Sequence, residues 1–159
     1  MSLETMQNLM KEIGPLTDEI LSIGLRGENQ WEVVLEDEIL MVIDYAEEAH
    51  KLTFSLNVGT PPEGDRMALY EALLTQNALW QETGGMHAAL EGPGGDVLMV
   101  FDLFALELDV SELSTVIGRL IQKQTAWREA ISKFGQASTS GDSDGPSDGP
   151  FDPSQSLRV

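Results

Sequence analysis

Two histidines, His50 and His87, are the residues of this sequence best suited to acid–base catalysis or metal binding. They stand far apart in the chain, and neither belongs to an HExxH-type pair of metal ligands. We therefore interpret both as surface or edge-strand residues. The 27 Asp and Glu side chains form many carboxylate pairs by chance, so pairing alone does not indicate glycosidase-like acid–base chemistry.

Motifs for phosphate binding and nucleophilic catalysis are also missing from the sequence. The glycine runs at 84–85 and 92–95 lack the GK[ST] ending of a P-loop, and no GxSxG motif presents a serine. With zero cysteines there is no thiol nucleophile and no thiolate metal site. The DSDG run at 142–145 lacks the twelve-residue calcium loop. We expect a protein that is not an enzyme, with no catalytic residue, metal or cofactor.

The charge is strongly acidic, with 27 acidic against 9 basic residues and a net charge of -18. The electrostatic field of such a negative charge repels phosphate backbones and anionic lipids, so we expect neither nucleic acid nor membrane as partner. The segment 27–50 carries eight carboxylates and no Lys or Arg. This segment is either a solubilising surface or an attractor for a basic partner segment. Without a long apolar run or a secretory leader, the expected location is the cytoplasm.

Apolar spacing predicts an α+β fold in the order helix, three antiparallel strands, helix, two strands, helix. The predicted strands cover 30–36, 38–45, 51–58, 86–91 and 96–105. Asp109 and Glu112 have capping-box spacing and predict the start of the last helix. Residues 16–29 stay unassigned, with a short second helix as one option.

The domain prediction follows from a change of composition near Gly135. We expect one α+β domain over residues 1–135. Residues 136–159 are rich in Gly, Ser, Pro and Asp and contain SDGP twice. Such a segment buries too little apolar surface to offset its ordering entropy, so we predict a disordered acidic tail.

The helix predicted over 65–83 has apolar residues on about half of its circumference, and Asn77 lies in the middle of that arc. A buried amide needs hydrogen-bond partners. Asn77 either fixes the register of a two-fold dimer or bonds to a neighbouring backbone carbonyl, and the sequence leaves both alternatives open.

Some strands carry more apolar side chains than one core face needs. In the strand at 38–45, Met41 and Ile43 can face the core, which leaves Leu40 and Val42 on the opposite face. Val34 in the preceding strand is likewise an apolar residue for which the core face does not account. Either a helix or a partner protein covers these residues. The first helix could do so through the adaptable Met6 and Met10, or it could be a plain core helix.

Several of these segments together resemble the type III secretion chaperones of the Tir-chaperone (CesT-like) family. The resemblance is carried by LLTQN at 73–77, GG at 84–85, VLMVFDL at 97–103, LDVSELSTVIGRLI at 108–121 and the pair Ala126-Trp127. It extends to the order of elements over residues 1 to about 134, the small size and the acidity.

The resemblance implies a bacterial cytoplasmic homodimer that binds an extended N-terminal segment of one or more effector proteins. The secretion ATPase is a further implied partner. The implied dimer interface consists of Leu69, Tyr70, Leu73, Leu74, Asn77 and Trp80. The implied cargo-binding residues are Leu3, Met6, Met10, Val34, Leu40 and Val42. The alternative function is a regulatory adaptor of the same fold that sequesters a transcription regulator or a secretion component.

Overall fold

The computed structural model describes residues 1–137 and contains three α-helices and six β-strands there. Residues 138–159 of the predicted tail lie outside the described residues. The elements are α1 (Leu3–Ile13), β1 (Ile20–Leu25), β2 (Gln30–Leu35), β3 (Leu40–Ala46), β4 (Lys51–Gly59), α2 (Arg66–Asn77), β5 (His87–Leu90), β6 (Val97–Phe104) and α3 (Val110–Ala137). The predicted α+β class is confirmed.

The strands are hydrogen-bonded in the order β1-β2-β3-β4-β6-β5. β2 to β4 form the predicted antiparallel meander, and β1 adds a further antiparallel strand to it. Among the described residues, β1 and β5 are therefore the end strands of the sheet, each paired with another strand on one side only. The chain divides into two units. The first comprises Met1–Asn57 and Val100–Gln122; the second comprises Val58–Met99 and the described residues from Lys123 onward.

The core of the first unit follows from strand alternation. Met41, Ile43 and Tyr45 of β3 are buried, as are Leu52 and Phe54 of β4, because every second side chain points to the same face. The buried residues from other elements of this unit include Met6, Met10 and Ile13 of α1, Ile20 of β1, Trp31, Val33 and Leu35 of β2, and Leu113, Ile117 and Leu120 of α3.

Replacing Phe54 by alanine should lower the free energy of unfolding by about 3–5 kcal/mol, the usual cost of emptying a buried aromatic site. The Phe54 ring is fully buried and lies 6.3 Å, centroid to centroid, from that of Phe101. Urea denaturation followed by circular dichroism measures the change. As a control, Leu40→Ala on the exposed face of β3 should cost less than about 1 kcal/mol. Equal losses for the two variants would contradict this assignment of the core.

Strand β1 forms where the sequence analysis left a short helix open. The turn before β2 explains the strand, since the N–H groups of Arg26 and Gly27 both donate to the carbonyl of Gln30, at 2.9 and 3.2 Å. The chain reverses there, and β1 pairs with β2 with an irregularity at Leu21. The meander therefore has one strand more than predicted.

Helix α2 ends at Asn77, whereas the sequence predicted a helix up to residue 83. Beyond it the chain makes tight turns, with the Leu79 N–H donating to the Gln76 carbonyl at 2.9 Å. The buried Thr83 hydroxyl bonds to the carbonyls of Trp80 and Met86, at 3.1 and 2.7 Å. These bonds hold the chain in turns between α2 and β5, so the helix is shorter than predicted.

Helix α3 begins with the predicted capping box. The Glu112 N–H donates to the Asp109 carboxylate at 2.8 Å, and the Asp109 N–H donates to the Glu112 carboxylate at 3.3 Å. The pair fixes the start of the helix, whose buried stripe includes Trp127 and Ile131. Among residues 1–137, no helix combines the length and apolar character needed to cross a bilayer.

Candidate protein-binding site

The free edge of β1 exposes backbone hydrogen-bonding groups. In an antiparallel pair, residues whose N–H and C=O groups bond to the partner strand alternate with residues whose groups point away from it. Because the Arg26 N–H bonds to Gln30, the backbone groups of Gly24 and Ser22 face β2. The N–H and C=O groups of Ile23 and Leu25 therefore point outward. Within residues 1–137, no side chain or loop bonds to these outward groups. The edge is open to an added strand.

A groove of about 640 Å³ lies next to this edge, between α1 and β1, and we call it the β1 groove. Its lining includes Gln7, Met10 and Lys11 of α1, Ile20, Ile23 and Leu25 of β1, and Trp31 of β2. Met10, Ile20 and Trp31 are buried and form its floor, whereas the Leu25 side chain is 62% exposed. The groove therefore combines an apolar floor with an exposed apolar rim.

Three of the predicted cargo-binding residues lie together on the other face of the sheet. Val34 is directly opposite Leu40, and Val42 is opposite Glu32 on the same face. Leu40 is exposed, and the two valines are half-buried. Among the described residues of the first unit, the apolar face predicted from alternation is thus present and accessible.

The three predicted cargo-binding residues of α1 lie elsewhere. Met6 is fully buried in the protomer, so it offers no surface to a cargo. Met10 is also buried and contributes only to the floor of the β1 groove. Leu3 is half-buried, and its N–H donates to the Glu47 carboxylate at 3.1 Å. For Met6 and Met10 the structure matches the alternative of a plain core helix.

Sequence reasoning missed the residues of β1 that border the groove, Ile23 and Leu25. A signal was present, because the apolar run 20–25 is followed by Gly27 and Asn29 and then by the clear strand β2. Two apolar runs joined by a short turn-rich segment are typical of a hairpin.

A second apolar groove, of about 220 Å³, lies between α2 and β5, and we call it the α2–β5 groove. It is lined by Tyr70, Leu73, Leu74, Asn77, Ala88, Ala89 and Leu90. Of the predicted dimer-interface residues, Leu69 and Leu73 are buried in the protomer. Leu74, at 68% exposure, and Trp80 are accessible, and Tyr70 is half-buried.

The amide of Asn77 is hydrogen-bonded to one residue of β5. Its Nδ2 donates to the Ala88 carbonyl at 3.1 Å, and its Oδ1 accepts from the Ala88 N–H at 2.7 Å. The polar groups of Asn77 thus have partners within the protomer. The geometry agrees with the alternative in which the amide bonds to a neighbouring backbone carbonyl.

Another exposed apolar cluster lies in the first unit, where β6 leads into α3. Phe104 and Leu106 are exposed beside a groove of about 650 Å³ that Val116 and Arg119 also line. The sequence analysis assigned no role to this cluster.

The described residues contain no group of three or more His, Cys, Asp or Glu side chains placed to hold a metal ion. His87 lies on the end strand β5, and His50 lies in the turn between β3 and β4. The accessible features around β1 and α2 include apolar side chains and backbone groups, which are features that proteins in general use to bind other polypeptides, by burial and by strand pairing.

The profile of the Tir chaperone protein (CesT) family matches residues 22–128, which include all lining residues of the α2–β5 groove and, of the β1 groove, Ser22, Ile23, Leu25 and Trp31. The fold is similar to that of a chain in the ExsC–ExsE complex, at 15% identity and a TM-score of 0.65, covering 81% of this chain and 95% of that one. It is also similar to a chain in the HopA1–SchA chaperone–effector complex, at 13% identity and a TM-score of 0.63, covering 80% and 95%.

A third similar structure is the Yersinia pestis type III secretion chaperone SycH in complex with a stable fragment of YscM2. Here the identity is 17% and the TM-score 0.56, with 76% of this chain and 97% of that chain covered. No curated protein matches the chain significantly in sequence.

Proposed function

Since the chain belongs to the Tir chaperone protein (CesT) family, we propose that it is a cytoplasmic type III secretion chaperone of a bacterium. It binds an extended N-terminal segment of one or more effector proteins. It keeps that segment competent for secretion and presents it to the secretion apparatus, including its ATPase. The family is a chaperone family, and one of the similar structures is by its name a chaperone–effector complex.

The observation that carries this proposal is the open edge of β1 beside the apolar β1 groove. An extended segment can pair with the outward N–H and C=O groups of Ile23 and Leu25. Its alternate side chains then point into the groove. The remaining side chains lie near Ser22 and Gly24, which are small and leave room for varied residues.

Val34, Leu40 and Val42 extend the proposed cargo surface on the other face of the sheet. Ordering an unfolded segment costs several kcal/mol, and burial on the order of 1,000 Å² or more must compensate for that cost. The β1 groove alone is short, because β1 has only 6 residues. A cargo that continues across the outer face gains the additional apolar area.

We further propose that the protein is a homodimer formed through the α2–β5 groove. Leu74 is exposed in its lining, and Tyr70 is half-buried there. Trp80 follows α2 in the chain and is also exposed. A two-fold interface of ordinary size buries roughly 800 Å² per partner. Covering these side chains with the same surface of a second copy removes a large apolar patch from water.

Affinity purification of the tagged full chain from its native bacterium tests the proposed function. We expect a secreted effector to co-purify, with the segment near its N-terminus protected from limited proteolysis while bound. A transcription regulator or secretion component in its place would support the adaptor alternative. Recovery of the chain without any partner, from cells that are actively secreting, would contradict both.

A further inference from the structure

The edge of β1 has an open position between the two residues that border the groove. Ile23 and Leu25 line the β1 groove, whereas Gly24 lies on the other face of the sheet, directly opposite Glu32 of β2. Among residues 1–137, and leaving aside its chain neighbours, the atom nearest to a methyl group on Gly24 would be the Glu32 carbonyl oxygen, at 4.0 Å. A side chain of an added strand can therefore pass over Gly24 toward the Glu32 carboxylate.

The charge on this side of the edge is negative. Glu32 belongs to the segment 27–50, which carries eight carboxylates and no Lys or Arg. Arg26 contacts the Glu32 carboxylate at 3.5 Å, but both side chains are partly exposed and a carboxylate accepts more than one donor. The edge thus suits an extended segment in which a basic residue stands between two apolar residues.

The chain itself contains such a segment in its predicted tail, at 151–159, FDPSQSLRV, outside the described residues. The large apolar residues Phe151, Leu157 and Val159 occupy odd-numbered positions, and every even-numbered position is polar. This alternation is typical of an extended strand with one apolar face. Arg158 stands between two of the apolar residues and is the only basic residue of the tail.

We propose that residues 151–159 of the chain itself occupy the edge of β1 until an effector displaces them. The tail then acts as an internal competitor, which covers the apolar groove while no cargo is bound. The inference rests on the proposed function, because it assigns a second occupant to the same edge.

Strand geometry specifies how the apolar residues fit. With the segment antiparallel to β1, Leu157 lies opposite Leu25, and two positions further Val159 lies opposite Ile23. Residues opposite each other direct their side chains to the same face, so both tail side chains enter the β1 groove. Their N–H and C=O groups meet the outward groups of β1.

The same register brings opposite charges together. Arg158 lies opposite Gly24, two strand spacings or about 10 Å from the backbone of Glu32. An arginine and a glutamate side chain together span that distance. The missing side chain of Gly24 is what leaves the path between them open.

The tail is long enough to reach the edge. The Thr17 hydroxyl, shortly before β1, lies 2.9 Å from the Ser114 hydroxyl of α3. From Ser114 to its end at Ala137, α3 is about 35 Å long. Residues 138–156 span up to about 60 Å when extended, so they can return along the helix.

Such an occupant needs only weak affinity, because it is attached to the chain that it binds. A short flexible linker holds its end group at an effective concentration in the millimolar range, so a segment with a Kd of about 1 mM is bound for roughly half of the time. The predicted disorder of the free tail agrees with this, since disordered segments become ordered on binding. A cargo that covers more apolar surface displaces it.

Hydrogen exchange of the full chain, followed residue by residue by NMR, tests the proposal without any cargo. The amide protons of Ile23 and Leu25 point outward and report on the edge of β1. Those of Ser22 and Gly24 face β2 and serve as internal references. A proton exchanges mainly while its bonding partner is away, so a tail that is bound two thirds of the time slows exchange about threefold.

The test variant combines Leu157→Asp with Val159→Asp, which places two charges where the apolar side chains would enter the groove. We expect exchange at Ile23 and Leu25 to become at least about threefold faster, with unchanged rates at the two reference residues. The matched control combines Ser143→Asp with Ser147→Asp. It adds the same charge to the tail outside the proposed segment, so no change is expected.

Equal rates in the unchanged chain and the Leu157 and Val159 variant would overturn the inference, and so would equal acceleration by the control. Protection that falls on dilution would mean that tails of other molecules bind, which overturns the intramolecular assignment. Arg158→Gln should give an intermediate rate, and an unchanged rate would overturn the contact with Glu32. Failure to recover any effector would contradict the proposed function, whereas the exchange rates decide the role of the tail in either case.

Discussion

Replacing Leu25 by aspartate should abolish retention of the effector segment while the protein stays folded. Leu25 is 62% exposed on the rim of the β1 groove, so the free protein tolerates a polar side chain there. A bound cargo strand would cover it. Burying a leucine stabilises a complex by about 1.5–3 kcal/mol, and a covered, unpaired carboxylate costs more still. A combined loss of about 3 kcal/mol or more weakens binding at least roughly 100-fold.

The measurement is titration calorimetry with the co-purified effector segment, with circular dichroism to check the fold. Leu16→Asp is the matched control. Leu16 is 63% exposed, receives the same charge, and does not line the groove. Equal weakening by both variants would point to general repulsion by the added charge. Undiminished binding by the Leu25 variant would remove the β1 groove from the proposed site.

Strand alternation made much of the first unit predictable. In β3 and β4 the buried and accessible side chains alternate without a break, so a period of two assigned Met41, Ile43 and Phe54 to the core and Leu40 to the other face. β1 has no such pattern. An end strand next to a groove exposes side chains of both faces, and the irregularity at Leu21 shifts its register. The strand that carries the proposed site was therefore the hardest to predict.

Tertiary hydrogen bonds explain the other differences. Apolar spacing continues past Asn77, but the chain turns after this residue, whose amide is bonded to Ala88 of β5, and the Thr83 hydroxyl bonds within the turns that follow. Spacing likewise places Met6 and Met10 on one face of α1 without telling whether the protein or a partner covers that face. A sequence pattern predicts which residues share a face, whereas the packing of other elements determines which faces stay accessible.

The second large effect concerns the proposed dimer, which Leu74→Asp should dissociate into folded monomers. Leu74 is 68% exposed and lines the α2–β5 groove, so an aspartate there leaves the protomer core intact but inserts a charge into the proposed interface. The neighbouring Leu73 is unsuitable for this test because it is buried, and its replacement would unfold the protomer.

Sedimentation velocity over a range of concentrations measures the outcome. The control is Leu106→Asp, whose side chain is 64% exposed and lies outside the α2–β5 groove, and this variant should remain a dimer. A Leu74→Asp protein that stays dimeric at low concentration would refute the assigned interface. Dissociation should also weaken cargo retention, because in the proposed dimer one effector chain would bind two copies of the β1 groove, and its second contact would be intramolecular. Loss of the partner copy then removes that avidity even though both grooves are unchanged.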